Sequence, residues 1–176
     1  MSVHTIDIRV AMWASRQPDF ETSVRDEIPV LYRVARRLVR SPEEAEDLVQ
    51  QTLLKAFAAW KRFDGQHLRS WLIRILRNEN LMKIRSEGTT TLVELNDDAG
   101  VRESFWNEVV WRDQADRILT ELDTLPEEFR MTVQLCDIEQ MSYEDAARAM
   151  DVPLGTIRSR LFRGRAQLRV RLTEEQ

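Results

Sequence analysis

Residues 142–172 read SYEDAARAMDVPLGTIRSRLFRGRAQLRVRL, two helical periods separated by one tight turn. A short segment carrying Ala146, Ala147 and Met150 runs into Asp151-Val152-Pro153, and a longer segment follows. Small alanines let two helices cross closely. With the turn, they give the geometry of a helix-turn-helix, whose second helix enters the major groove. In that second helix Leu154, Ile157, Leu161, Leu168 and Leu172 recur at three-four spacing and face a core. Arg158, Arg160, Arg163, Arg165 and Arg169 project elsewhere. Six arginines and no acids lie between Pro153 and Arg171. A guanidinium fork binds phosphate or takes guanine O6 and N7 bidentately, the latter contributing roughly 1–3 kcal/mol of base discrimination. Thr156 and Ser159 are short polar groups near the helix start, where base edges are reached, and Gly155 leaves room for phosphate to approach the backbone. A solvated basic helix on a small bundle is the plainer alternative. The lack of acids and the preceding helix and turn favour DNA.

Upstream of this unit, periodicity predicts a short helix over Pro126–Asp137, with Ser142 capping the next one, and helical character from about Ser104 to Asp123. Residues 86–100, SEGTTTLVELNDDAG, are polar, turn-rich and aperiodic, and read as a flexible linker. Before the linker, Leu31, Val34, Ala35 and Leu38 recur at helical spacing within Phe20–Val39, with Pro29 predicting a kink or break. Ser41, Pro42 and Glu44 form a capping box with proline at the first helical position. An apolar stripe follows from Ala45, Leu48, Val49, Leu53, Ala56, Phe57 and Trp60. Asp64-Gly65 makes a turn, and a further helix runs from Leu68 to Arg85, burying Trp71, Leu72, Ile75, Leu76 and Leu81. The expected fold is all-α: two small helical domains joined by a flexible linker. Its divisions are an N-terminal extension (1–18), a first domain (19–86), the linker (87–112) and a second domain (113–174). Such a linker also allows a compact closed form that hides DNA-binding surfaces.

The chain has 176 residues, 43% of them hydrophobic and 32% charged, enough for a packed core. Its net charge of −4 argues mildly against nucleic acid, but the distribution reverses this. Besides the C-terminal arginines, Lys61 to Arg85 holds seven cations against two acids, whereas acids dominate from Asp113 to Asp151. Two basic patches on an acidic protein predict two contacts with a polyanion. The single Cys136 rules out a disulfide framework, and with only His4 and His67 beside it no metal site or cofactor is expected. No apolar run is long enough to span a bilayer, and the first residues lack the order of a signal peptide, so a cytoplasmic protein without membrane insertion is expected. No phosphate loop, nucleophile-base pair or metal triad points to an enzyme.

Two further constellations carry information. In EEAEDLVQQTLLKAFAAW, Asp47, Gln50, Gln51 and Lys55 cluster on one exposed side, a face suited to docking on another helix and equally readable as ordinary solvated surface. In the unit from Trp60 to Arg85, aromatics (Trp60, Phe63, His67, Trp71) interleave with Arg62, Arg69, Arg74 and Arg77, a mixture that suits single-stranded DNA. Burial of Phe63 and Trp71 in the core is the alternative. Asn78 and Asn80 are poor mid-helix residues, kept for hydrogen bonding or simply exposed.

Together, AEDLVQQTLLKAF, SWLIRILRN and LPEEFRMTVQLCDIEQMSYEDAARAMDVPLGTIRSRLFRGRAQL resemble regions two and four of the extracytoplasmic-function (group 4) sigma factors of bacterial RNA polymerase. The resemblance covers about Phe20 to Leu172 and departs at Met82, where the family often has Asp or Asn. It implies a role for each constellation. Asp47, Leu48, Gln50, Gln51 and Lys55 would dock on the β′ clamp helices of core RNA polymerase, with the β subunit a further contact. Arg62, Phe63, His67, Arg69, Arg74, Arg77, Asn78 and Lys83 would melt and hold the −10 element. Thr156, Arg158, Ser159, Arg160 and Arg163 would read the −35 element. The linker would thread toward the active-site and RNA-exit channels, and an anti-sigma factor is the implied antagonist. The competing expectations are a duplex-only activator, which leaves the aromatic-basic unit unexplained, and a sigma mimic that titrates an anti-sigma factor, which need not keep its arginines.

Overall fold

A computed structural model describes residues 19–86 and 111–173, with backbone alone for 111–116. The N-terminal extension and most of the expected linker lie outside the described residues. Every regular element among those described is helical. α1 (Phe20–Val24) is capped by Asp19 and passes through a 3₁₀ turn (Arg25–Glu27) into α2 (Ile28–Ala35). Pro29 therefore does not kink one long helix. It sits in the first turn of α2, where its missing N–H removes no hydrogen bond. The helix also stops at Ala35, short of Val39.

α3 (Pro42–Ala59) opens with the expected capping box: Glu44 N donates to Ser41 Oγ at 3.1 Å and Ser41 N to Glu44 Oε2 at 3.3 Å. After the turn at Gly65 (φ +80°), α4 (Leu68–Ser86) begins directly behind His67, itself at φ +52°. α5 (Trp111–Asp123) leads to α6 (Glu127–Val133) and a π turn (Gln134–Ile138), then to α7 (Tyr143–Met150) and α8 (Leu154–Thr173). Ser142 caps α7 by accepting from Asp145 N at 3.0 Å, and Asp151 ends it in the left-handed region at φ +57°. The α7–turn–α8 unit is the expected helix-turn-helix, with Ile157, Leu161, Leu168 and Leu172 buried.

The packing departs from two separate cores. One apolar cluster runs from α2–α4 (Leu31, Val34, Leu72, Ile73, Leu76) into α6–α8 (Met131, Leu135, Ala146, Ala149, Met150, Ile157). A second, smaller cluster (Leu122, Leu125, Phe129, Val133, Leu161, Leu168) is confined to the C-terminal half. α4 accordingly buries two stripes. Leu72, Ile73 and Leu76 join the shared apolar cluster, while Ser70 and Asn80 are buried polar residues and Ser70 and Arg77 reach α7 by donating to the carbonyls of Asp145 and Met150. Ion pairs close the rim: Arg33 grips Glu139 through two bonds of 2.8 and 2.6 Å, and Arg37 reaches Asp123 at 2.7 Å. The Glu139 side chain is only 2% exposed, and its hydrogen bond holds the Arg33 guanidinium above its usual basicity.

Candidate nucleic-acid and polymerase interfaces

Three surfaces hold the residues singled out in the sequence. On α3, Asp47, Gln50, Gln51 and Lys55 are exposed on one face, Lys55 pairing with Glu79 at 2.5 Å. Leu48 is buried beneath this face. The helical stripe is completed by Leu54, 59% exposed, with Phe57 beside it at 65%. Sequence periodicity assigned Phe57 to the core and passed over Leu54, because apolar residues at helical spacing read as buried. The Phe57 ring meets Phe20 edge-on at 5.3 Å. Two large apolar side chains are thus exposed among the amides of this face.

The second surface follows the 3₁₀ turn Trp60–Arg62. Its aromatics stack mainly on one another: Trp60 on Phe63 at 5.2 Å, and Phe63 on Trp71 at 4.6 Å. Phe63 is buried, which favours the alternative that its ring belongs to the core. The cations divide by partner. Arg62 is exposed, whereas Arg69 donates to Glu27 of the first 3₁₀ turn at 2.7 Å and ties α4 to the turn between α1 and α2. Lys83 lies 3.6 Å from Glu44, and Asn78 is exposed while Asn80 is buried.

His67, Arg74 and Arg77 face the C-terminal half. His67 Nδ1 is 2.9 Å from Asp145 Oδ1, Arg74 Nη2 is 2.8 Å from Asp151 Oδ1, and Arg77 Nη1 donates to the Met150 carbonyl at 2.8 Å. Burial depresses the Arg77 guanidinium, Glu127 opposes that, and the charge of Arg160 adds to it. The first basic patch thus meets the end of α7 and the turn after it. Beside this contact lies an open cleft of about 740 Å³, lined by Arg62, His67, Trp71, Arg74, Arg148 and Pro153 among others.

The third surface is α8. Arg158 is exposed, and Thr156, Arg160 and Arg163 are half-buried. Ser159 turns inward, its hydroxyl donating to the Thr156 carbonyl at 3.1 Å, which takes it off the base-reading face in this arrangement. Arg165 is structural, bound to Asp137 at 2.6 and 3.2 Å. At Gly155 a β-carbon would meet nothing within 4 Å, leaving the helix start open to a ligand.

Comparison with known proteins accounts for this pairing of surfaces. Residues 24–90 match the model of sigma-70 region 2, and residues 115–168 match sigma-70 region 4. The RNA polymerase sigma-E factor of Streptomyces avermitilis is 35% identical over 161 residues, covering 88% of this chain and 85% of the relative. The chain belongs to the extracytoplasmic-function sigma factors of the sigma-70 family. Its function is accordingly that of a sigma factor, promoter recognition in transcription initiation. The extracytoplasmic-function sigma factor SigE of Mycolicibacterium smegmatis is 38% identical over 157 residues, covering 86% of this chain, which spans 61% of that relative's length. Among solved structures, the sigma factor RpoE of Bartonella quintana, in complex with the anti-sigma factor NepR, aligns with a TM-score of 0.67 at 30% identity, covering 90% of this chain and 99% of that one. Among the described residues, no helix of this sigma factor is long and apolar enough to cross a membrane.

Proposed function

We propose that this sigma factor divides its task among the three surfaces. The exposed stripe of α3 (Asp47, Gln50, Gln51, Leu54, Lys55, Phe57) docks on the β′ clamp helices of core polymerase. The cations around α4 (Arg62, His67, Arg74, Arg77, Asn78, Lys83) hold the displaced strand of the −10 element, and Arg69 positions that helix. The start of α8 (Thr156, Arg158, Arg160, Arg163) reads the −35 duplex. Strand separation is driven by binding, each captured base offsetting lost stacking, and needs no nucleotide hydrolysis. The observation that carries this reading is the coexistence, in one short chain, of an apolar docking stripe and two basic surfaces of different character. A duplex-only activator would need neither Leu54 and Phe57 in water nor cations on α4. The protein would work in the cytoplasm. Its antagonist would be an anti-sigma factor, by analogy with the Bartonella relative.

The test is run-off transcription from a genomic promoter library with purified core polymerase, with and without the protein. Sharp start sites that require it support the proposal and supply both promoter elements. Replacing Arg158 and Arg160 with alanine should abolish these starts while core binding persists. Loss of core binding in that variant would refute the division of labour.

A further inference from the structure

The residues that follow α2 carry a third basic run, which none of the three surfaces above uses. Arg36, Arg37 and Arg40 follow one another closely in the chain, and Arg130 of α6 comes to meet them. Together they line an open pocket of about 440 Å³, with Leu38, Val39 and Asp123 as its other walls. That size suits a small ligand. Two of the guanidiniums are braced. Arg37 Nη1 donates to both carboxylate oxygens of Asp123 at 2.7 Å, and Arg130 Nη1 donates to the carbonyls of Asp123 and Leu125 at 3.0 and 3.2 Å. Arg130 Nε is buried and has no hydrogen-bond partner among the described residues. The Arg36 and Arg40 guanidiniums make no hydrogen bond or ion pair among the described residues. The neighbouring acids are largely spoken for. Glu43 is held below its usual range by hydrogen bonds first and by the charge of Arg36 after them, and Glu44 accepts from the backbone N–H groups of Arg40 and Ser41. Four cations thus face the pocket against one lining carboxylate, that of Asp123.

We infer that this pocket is a binding site for the di- or triphosphate group of a small ligand. Like charges gathered round a concave surface focus the field and raise the local concentration of anions. A guanidinium fork matches phosphate oxygens bidentately, and four forks round one pocket match linked phosphates better than a single one. The braced Arg37 and Arg130 supply fixed donors, and the unbraced Arg36 and Arg40 close on the ligand. Asp123 repels the anion, but it is engaged by Arg37 and holds that fork in place. No aromatic side chain is among the lining residues, so no base is stacked there and recognition lies in the phosphates. A nucleotide and an inorganic polyphosphate share that chemistry. A DNA backbone fits less well, because these arginines converge on a pocket and do not line a face. The site is independent of the roles assigned to α3, α4 and α8.

The experiment titrates the full chain with tripolyphosphate, pyrophosphate and orthophosphate by calorimetry at about 0.15 M salt, where diffuse surface attraction is screened. Tripolyphosphate should bind once per chain and more tightly than pyrophosphate, with orthophosphate weakest. Arg36→Gln with Arg40→Gln should weaken tripolyphosphate at least about tenfold, through the loss of two charge-assisted contacts. Circular dichroism checks the fold of this pair, and Arg40→Gln alone, at an exposed position, should weaken binding at least about threefold. A control pair, Arg25→Gln with Lys61→Gln, removes the same charge at exposed positions outside the pocket and should bind as the unaltered chain does. Adenosine triphosphate and monophosphate separate the sources. A triphosphate that only equals tripolyphosphate, with the monophosphate failing, supports a site that reads phosphates alone. A triphosphate that binds at least about tenfold more tightly supports a nucleotide as the ligand. Equal weakening in the two pairs, or several anions bound per chain, would reduce the pocket to general surface charge and overturn the inference. So would a short duplex that binds more tightly than tripolyphosphate and is lost in the Arg36 and Arg40 pair, since the run would then be a contact for a DNA backbone.

Discussion

Gly155 and Gly164 lie on the same helix and have opposite surroundings. A β-carbon at Gly155 meets open space, whereas at Gly164 it would stand 2.9 Å from Val133 Cγ2 and 3.4 Å from Phe129 Cβ. Val133 is buried and stiff at χ1, so α6 and α8 would have to separate. Gly155→Ala should therefore raise the melting temperature, by the roughly 0.4–1 kcal/mol that removing a glycine contributes, and weaken −35 binding if backbone approaches phosphate there. Gly164→Ala should lower it, because overpacking of about 1–3 kcal/mol outweighs a helix-propensity gain of at most about 1. Parallel thermal melts decide, and equal shifts would contradict the packing of α6 on α8. Cys136 offers a second residue-scale check. Burial, helped by Asp137, pushes its thiol up to about 12. At neutral pH the reactive thiolate is then scarce, and a maleimide should label the native protein at least about a hundredfold more slowly than the urea-unfolded chain. Comparable rates would mean that the π turn is open to solvent.

At the scale of elements, α3 carries the sharpest expectation. Leu54 and Phe57 are exposed, so Leu54→Ala with Phe57→Ala should leave the melting temperature within a few degrees, surface changes costing about 0.5 kcal/mol each. The same pair should weaken binding to core polymerase by at least about tenfold, since hot-spot apolar side chains contribute on the order of 2 kcal/mol each. A titration of labelled protein against core polymerase measures this, and unchanged affinity would return α3 to ordinary solvated surface. The helices themselves were legible because their signals are local: the Ser41–Glu44 box, the Ser142 cap, the turn at Asp151 and the leucine spacing of α8 each act within a few residues. The roles of side chains at interfaces were less so. Leu54 and Phe57 share the spacing of core residues, and among the described residues no element covers them. Ser70, Ile73 and Arg77 form no apolar stripe, so nothing in their pattern announces a second packed face on α4. Phe63 and Ser159 were placed on binding faces by type and Leu48 by the resemblance alone, whereas all three are buried.

For the whole molecule, the unbroken cluster from Leu31 to Ile157 has a mechanical consequence. Two bodies on a flexible tether would unfold independently. Two bodies that share a core and a half-buried ion pair lose stability together for as long as they remain closed. Arg33 belongs to the first half, and its partner Glu139 belongs to the second, where it also accepts from the buried Gln134 amide at 2.9 Å. Arg33→Ala strips the Glu139 carboxylate of its cation, and breaking one side of a buried pair costs about 3–5 kcal/mol where both partners are dry. Arg33 is half exposed, so the cost here should fall below that range, at about 1–3 kcal/mol. Hydrogen exchange read by mass spectrometry should show protection falling in α2 and α4 and, by a similar factor, in α6 and α7, although the substitution touches only α2. If α6 and α7 keep their protection, the halves are independent in solution and the closed packing is not the free protein's ground state. If both fall together, opening is a cooperative step with a measurable free energy, which any partner that needs the halves apart must supply.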